Sequence, residues 1–138
     1  MQIRFLKKHP DAIIPQYATA GASGLDLHAR IPHDIYLQPG VRFTCPTGIG
    51  IELPEGFEAQ VRPRSGMAKN HGVTVLNAPG TVDADYTGEI CAILINHGDQ
   101  AYKIEPNQRI AQLVIAPIVR VELVETEALA ETTRGAGG

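Results

Sequence analysis

Apolar residues fall in short runs along this chain, and ten prolines and fourteen glycines set the intervals between them. Runs of roughly four to eight residues rich in Val, Ile, Thr and Leu between such breakers read as strands. The best are Arg42 to Cys45, Gly48 to Leu53, Phe57 to Arg62, Val73 to Leu76, Glu89 to Asn96 and Ile110 to Ile115. Turns such as Leu53-Pro54-Glu55-Gly56 and Asn96-His97-Gly98-Asp99 separate them, since Pro presets its own φ and Gly and Asn tolerate tight backbone. In Phe57 to Arg62 every second position is apolar, so one face packs and the other is polar or wet. Ile90 to Ile95 is apolar on both faces. Such a strand needs cover on both sides, either within a sandwich or barrel or at an interface with another subunit. Only Ser65 to Asn70 and Glu122 to Glu131 have helical character, and Thr132 to Gly138 reads as a flexible arm of small and polar residues.

Composition narrows the class. A length of 138 residues is one domain; the reading is a β-domain over 1–131 with the arm at 132–138. No apolar run approaches the ~20 residues that span a bilayer, and the opening MQIRFLKKHP has basic residues with no apolar stretch behind them. That is not the shape of a secretory signal, so no membrane partner and a cytoplasmic location are expected. A net charge of -3 argues against a general nucleic-acid binder. Cys45 and Cys91 stand far from any CxxC spacing and read as buried free thiols. The five histidines lack ligand spacing, so no metal site made by protein alone is expected.

Four segments interrupt the apolar rhythm with polar residues. In Ala20-Gly21-Ala22-Ser23-Gly24-Leu25-Asp26-Leu27 an acid lies between two leucines. It either points outward, the better reading of the segment alone, or is buried against a cation, because an unpaired buried carboxylate is costly. In Pro63-Arg64-Ser65-Gly66-Met67-Ala68-Lys69, Ser65 suits an N-cap, and the free N–H groups beside Arg64 offer an anion site or merely a capped turn. The stretch from Leu76 to Glu89 looks like a hairpin with Pro79-Gly80 at its turn, and its returning arm carries Asp83, Asp85, Tyr86 and Glu89. That is more polar chemistry than a structural turn requires. In Gln108 to Ile115, Gln112 interrupts an apolar strand and must find partners in backbone or ligand.

Taken in order, AGASGLDL, PRSGMA, the Asn77-to-GTVDADYTGE stretch and RIAQL resemble four motifs of the trimeric dUTPase family, and the match runs from Ala20 to Gln112. The fifth motif of that family, a glycine-rich arm with an aromatic residue, is represented by Arg134-Gly135-Ala136-Gly137-Gly138 without the aromatic. The resemblance implies an all-β, jelly-roll-like sandwich (the β-clip dUTPase fold) with a flexible C-terminal arm. It further implies a homotrimer whose sites lie between subunits, and hydrolysis of dUTP to dUMP and pyrophosphate with Mg2+ carried by the triphosphate rather than held directly by protein.

Residue by residue, the resemblance makes Asp83 the base that orients and deprotonates the attacking water. Uracil is received by the backbone of the hairpin from Asn77 to Tyr86, Thr81 and Val82 among it, and by the Asn77 amide. Tyr86 lies under the sugar, where a 2'-hydroxyl would be, and Cys91 lines the pocket. Arg64, Ser65, Gly66, Gln112 and Arg134 meet the phosphates, while Asp26 supports that site by pairing with an arginine and with metal-bound water. A dCTP deaminase shares the fold but differs in the second and third motifs; the Asp83-Ala84-Asp85-Tyr86 run favours the triphosphatase. A nucleotide-binding regulator with little turnover and a β-sandwich lectin or assembly module are the readings of other classes, and the last leaves Asp83, Tyr86 and Gln112 without a role.

Overall fold

Breakers at short intervals keep most strands to six residues or fewer, the last, with nine, being the exception, and the chain closes its backbone hydrogen bonds by pairing strands distant in sequence. A computed structural model of the chain describes residues 1–137; Gly138, the end of the expected arm, lies outside them. The strands are β1 (Arg4–Lys7), β2 (Gln16–Tyr17), β3 (Leu25–His28), β4 (Ile35–Leu37), β5 (Arg42–Pro46), β6 (Ile49–Glu52) and β7 (Phe57–Arg62), then helix α1 (Ser65–His71). They continue with β8 (Val73–Val75), β9 (Gly80–Val82), β10 (Cys91–Asn96), β11 (Tyr102–Ile104) and β12 (Arg109–Pro117). The largest sheet has the order β2-β3-β12-β7-β9; β5-β10-β8 form a second, and β1-β6 and β4-β11 are two-stranded ribbons. All pairings are antiparallel. The all-β expectation holds.

Alternation decides which side of each strand is buried. On β10, Ala92, Leu94 and Asn96 are buried, whereas Cys91, Ile93 and Ile95 on the other face are only partly covered. The strand apolar on both sides therefore has one side sealed by its own chain. The core joins Leu27, Ile49, Val75, Leu94, Ile110 and Leu113, each 2% exposed or less. Asn96 sits among them fully buried. It is tolerated because its bonds are made: Nδ2 donates to the Leu37 and Gln100 carbonyls at 2.8 Å each, and Oδ1 accepts from Gly98 N at 2.8 Å. The turn after β10 in turn rests on the end of α1, so closely that a Cβ on Gly98 would lie 3.2 Å from the His71 carbonyl carbon.

Three sequence expectations are corrected. Glu122 to Glu131 forms no helix and is exposed throughout; an isolated ten-residue helix with no surface to bury its apolar side is marginal in water. Asn77 to Tyr86 is not a hairpin of two paired strands, because β8 belongs to the β10 sheet and β9 to the β7 sheet. Leu76 N still donates to Ile93 O, after which the chain crosses so that Gly80 pairs with Val61. The third concerns Ser65, which occupies the first helical position; Arg64 is the N-cap and makes no side-chain cap bond. The left-handed Gly72 closes that helix, with its N–H reaching the Ala68 and Met67 carbonyls.

Candidate functional site

One polar cluster forms where β3, β12 and the start of α1 meet. Register places Gln112 opposite Asp26 on one side and opposite Arg62 on the other. The Gln112 amide is pinned, Nε2 donating to the Pro63 carbonyl at 3.0 Å, and Gly24 lies against its side chain, leaving no room for a Cβ. Asp26 is not outward-pointing. Its side chain is 18% exposed and pairs with Arg109 Nη1 at 3.2 Å, the cation that a buried carboxylate requires. Arg64 Nη1 donates to the Arg109 carbonyl at 2.9 Å, which ties the second segment to the fourth. Ser65 and Gly66 open α1 at the same place and are exposed. Arginines, an amide and free N–H groups thus share one surface, a set suited to oxyanions.

His28 belongs here and was missed by sequence reasoning, which noted only that the histidines lack ligand spacing. It lies opposite Arg109 on the face of β3 that carries Asp26, and its Nδ1 is buried without a partner. Burial lowers its pKa from the ordinary 6.5; the Asp26 charge opposes this and Arg109 and Arg64 reinforce it. Period-two alternation from Asp26 was the available signal. Arg109 itself, the partner of Asp26, was quoted in a motif without a role.

The second cluster is the loop from Asn77 to Ile90. The Ala78–Pro79 peptide is cis. Asn77 folds back over Gly80, where a Cβ would fall 3.1 Å from Nδ2. Thr81 is exposed, whereas Val82 is 7% exposed and packs into the core, which leaves its side chain unavailable to a ligand. Asp83 is exposed, and its carbonyl accepts from Tyr86 N at 3.1 Å to close a turn. Tyr86 donates its hydroxyl to the Glu89 carbonyl at 2.9 Å. Its ring covers Gly88 so closely that a Cβ there would lie 2.9 Å from Cε2. Cys91 follows on β10, half-covered rather than buried; burial first and the Glu89 charge second raise its thiol pKa. Cys45 is fully buried, and burial pushes its thiol up to about 12.

Asp83 and the Arg64 cluster do not meet within one chain, although the start of the same loop, where Gly80 pairs with Val61, lies nearer the Arg64 end of β7. Val82 pairs with Ala59, so Asp83 lies beside the Phe57 end of β7, while Arg64 follows the other end. Six residues from Glu58 to Arg64 at about 3.3 Å each separate them by roughly 20 Å. Asp83 lines a recess with Glu55, Glu58, Asp85 and Arg120; Asp26 and Arg109 line another with Lys7, Tyr17 and His28. Arg134 is exposed, and its Nε donates to the Gly137 carbonyl at 2.6 Å, three residues on. No hydrogen bond among the described residues joins it to either cluster. Nor do three or more His, Cys, Asp or Glu side chains gather among the described residues in a way that could hold a metal ion. No helix among them is long and apolar enough to cross a membrane.

The comparisons agree with the motifs. The dUTPase family profile matches residues 10–138. A deoxyuridine 5'-triphosphate nucleotidohydrolase of Beijerinckia indica is 60% identical over 127 residues, covering 91% of this chain and 79% of the relative. One from Chlamydia pneumoniae is 58% identical over 126 residues, covering 91% and 87%, and one from Nautilia profundicola is 49% identical over 138, covering 100% and 96%. Among solved structures, the dUTPase of Staphylococcus bacteriophage 80alpha, solved with dUpNHpp, has a TM-score of 0.89 at 22% identity, covering 99% of this chain and 95% of that one. A mutant dUTPase from phage phi11 of S. aureus, whose structure describes the coordination of a structural Mg(II) ion, has a TM-score of 0.83 at 21% identity, covering 93% and 98%. At that identity the two structures speak for the fold, and their strands superpose on nearly the whole chain. With the profile spanning both polar clusters and relatives of such identity covering most of the sequence, this chain belongs to the dUTPase family.

Proposed function

We propose that the chain hydrolyses dUTP to dUMP and pyrophosphate, limiting uracil in DNA and supplying dUMP for dTMP synthesis, in sites shared between the subunits of a cytoplasmic homotrimer. The observation that carries the shared site is the opposed placement of Asp83 and Arg64 along β7. A base roughly 20 Å from the anion donors of its own chain cannot serve them, so Asp83 of one subunit works against the Arg64 cluster of another. The half-covered row Cys91, Ile93 and Ile95 on β10, with the exposed Leu76 at its edge, supports burial of that face on assembly.

In this site the Asn77 amide and the backbone of Gly80 to Val82 hold uracil. The Tyr86 ring, fixed over Gly88, stands beneath the deoxyribose and excludes a 2'-hydroxyl, and Cys91 lines the wall. The Asp83 carboxylate accepts a proton from water as its oxygen bonds to the α-phosphorus. The bond from that phosphorus to the bridging oxygen breaks, and the electron pair leaves on pyrophosphate. Arg64, the Ser65 and Gly66 N–H groups, Gln112 and Arg134 of the 132–138 arm match the charge that grows there. Magnesium binds mainly through substrate phosphates and would neutralise part of their charge. Asp26, oriented by Arg109, suits hydrogen bonds from the ion's waters.

A pyrophosphate-release assay with dUTP, dTTP, dCTP and UTP tests the reading, with dUTP expected to be turned over far faster than the others. Sedimentation equilibrium should report a mass near three chains. Comparable rates on UTP remove Tyr86 from its role, and a stable active monomer removes the shared site.

A further inference from the structure

We infer that Lys8 is a positioning residue for the loop that carries Asp83 and Tyr86, acting through the Thr87 carbonyl; this rests on the reading above. The residue stands just past β1, anchored by its own N–H to the Gly48 carbonyl at 2.7 Å. Its side chain passes diagonally over Gly50 and donates from Nζ to the Thr87 carbonyl at 2.9 Å. The path exists because position 50 has no side chain: a Cβ there would fall 2.8 Å from Lys8 Cε and 3.1 Å from the Gly88 carbonyl.

The contact is the outermost of several that fix this loop to β6 and the turn before it. Ile90 N donates to Ile49 O at 2.8 Å, Thr47 Oγ1 donates to Ile90 O at 2.6 Å, and Gly48 N donates to the Glu89 carboxylate at 2.6 Å. These hold the loop's C-terminal root. Between that root and the end of β9, Thr87 is held by Lys8, and Thr87 is the residue next to Tyr86. The hydroxyl of Tyr86 leans on Glu89 and its ring on Gly88, so the position of residues 87–89 sets where the ring stands. Asp83 is linked to the same unit through its carbonyl and Tyr86 N. A cation just past the first strand thus fixes the proposed sugar-reading ring and, one turn away, the proposed base.

The test replaces Lys8 by Met, which keeps length but donates nothing, and by Arg, which can still reach the carbonyl. Because displacement of a positioning element by about 1 Å can cost up to ~10²-fold, Lys8→Met should lower kcat/KM for dUTP and reduce the preference for dUTP over UTP about tenfold, with Tm and trimer mass unchanged. Lys8→Arg should retain most of both. In a Tyr86→Phe background, Lys8→Met should change the preference by less than it does alone, because both act through one ring. If the parent hydrolyses dUTP and Lys8→Met leaves the dUTP:UTP ratio unchanged, the positioning role is overturned while the functional reading stands. It is equally overturned if the Lys8 and Tyr86 effects multiply in full. A parent without dUTP turnover overturns both. Should Lys8→Met fail to fold, Lys8→Ala, which removes the same exposed side chain and its bond to the Thr87 carbonyl without adding bulk, must show the same loss of preference.

Discussion

Gly24→Ala tests the placement of Gln112 without substituting any residue proposed to meet substrate. Gly24 is buried on the loop before β3, and an added Cβ would stand 3.0 Å from Gln112 Cβ and 3.2 Å from its Cδ, with the amide oxygen closer still. These contacts lie well inside the ~3.5–4.0 Å of ordinary carbon packing, so the Gln112 side chain must turn away and give up its 3.0 Å bond to the Pro63 carbonyl. If Gln112 donates to a phosphate, the loss is that of one hydrogen bond to a charged group, about 1.5–3 kcal/mol. That corresponds to about a 10- to 150-fold fall in kcat/KM. The assay is steady-state pyrophosphate release from dUTP by the parent, Gly24→Ala, Gln112→Ala and the double variant, with sedimentation confirming equal assembly. In the double variant the far end of the glutamine is gone and only the 3.0 Å approach to the residue-112 Cβ remains, so Gly24→Ala should cost clearly less on top of Gln112→Ala than it costs by itself. A Gly24→Ala enzyme with parental kcat/KM, or a double variant in which the two losses multiply, would refute the reasoning.

Three further outcomes follow from the geometry. Asp83→Asn, nearly isosteric, should keep binding a dUTP analogue while turnover falls about 10²–10⁴-fold, the usual worth of a positioned base; unchanged turnover dismisses Asp83 from that role. Asn96→Asp replaces two donors at the Leu37 and Gln100 carbonyls by a buried carboxylate. At about 1–3 kcal/mol for each group left unsatisfied, urea unfolding should show a loss of about 2–6 kcal/mol, and an unchanged midpoint would contradict the buried network. Burial raises the Cys45 thiol from 9.0 to about 12, so on alkalinisation the unfolded chain loses this proton first. Its contribution is intact below about pH 9 and lost as pH rises through 12. Cys45→Ala should flatten the fall in stability across that window, and identical slopes in parent and variant would refute it.

Period-two alternation and the spacing of Pro and Gly marked β5, β6, β7, β8, β10 and β12, because a strand with one buried face cannot shift by one residue without turning its apolar side to water. Phe57 to Arg62 shows this most directly, with its predicted and observed limits identical. The four polar segments, which no packing requirement explains, marked Asp26, Arg64, Asp83 and Gln112 as candidates from sequence alone. What the sequence could not contain is which strands become neighbours. Strands β1, β2, β4 and β11 have two to four residues each and gave too little pattern to be read; partners far along the chain stabilise them. The stretch around Pro79 resembles a hairpin locally, yet the pairing of Leu76 with Ile93 and of Gly80 with Val61 sends its two arms into different sheets. Glu122 to Glu131 has helical composition but no surface on which to lay a helix. The same long-range register put Asp83 and Arg64 at opposite ends of β7, turned Asp26 inward to Arg109, and brought Lys8 to Thr87 across Gly50. Local propensity acts between near neighbours, whereas these contacts join residues tens of positions apart and are decided only when the whole core closes.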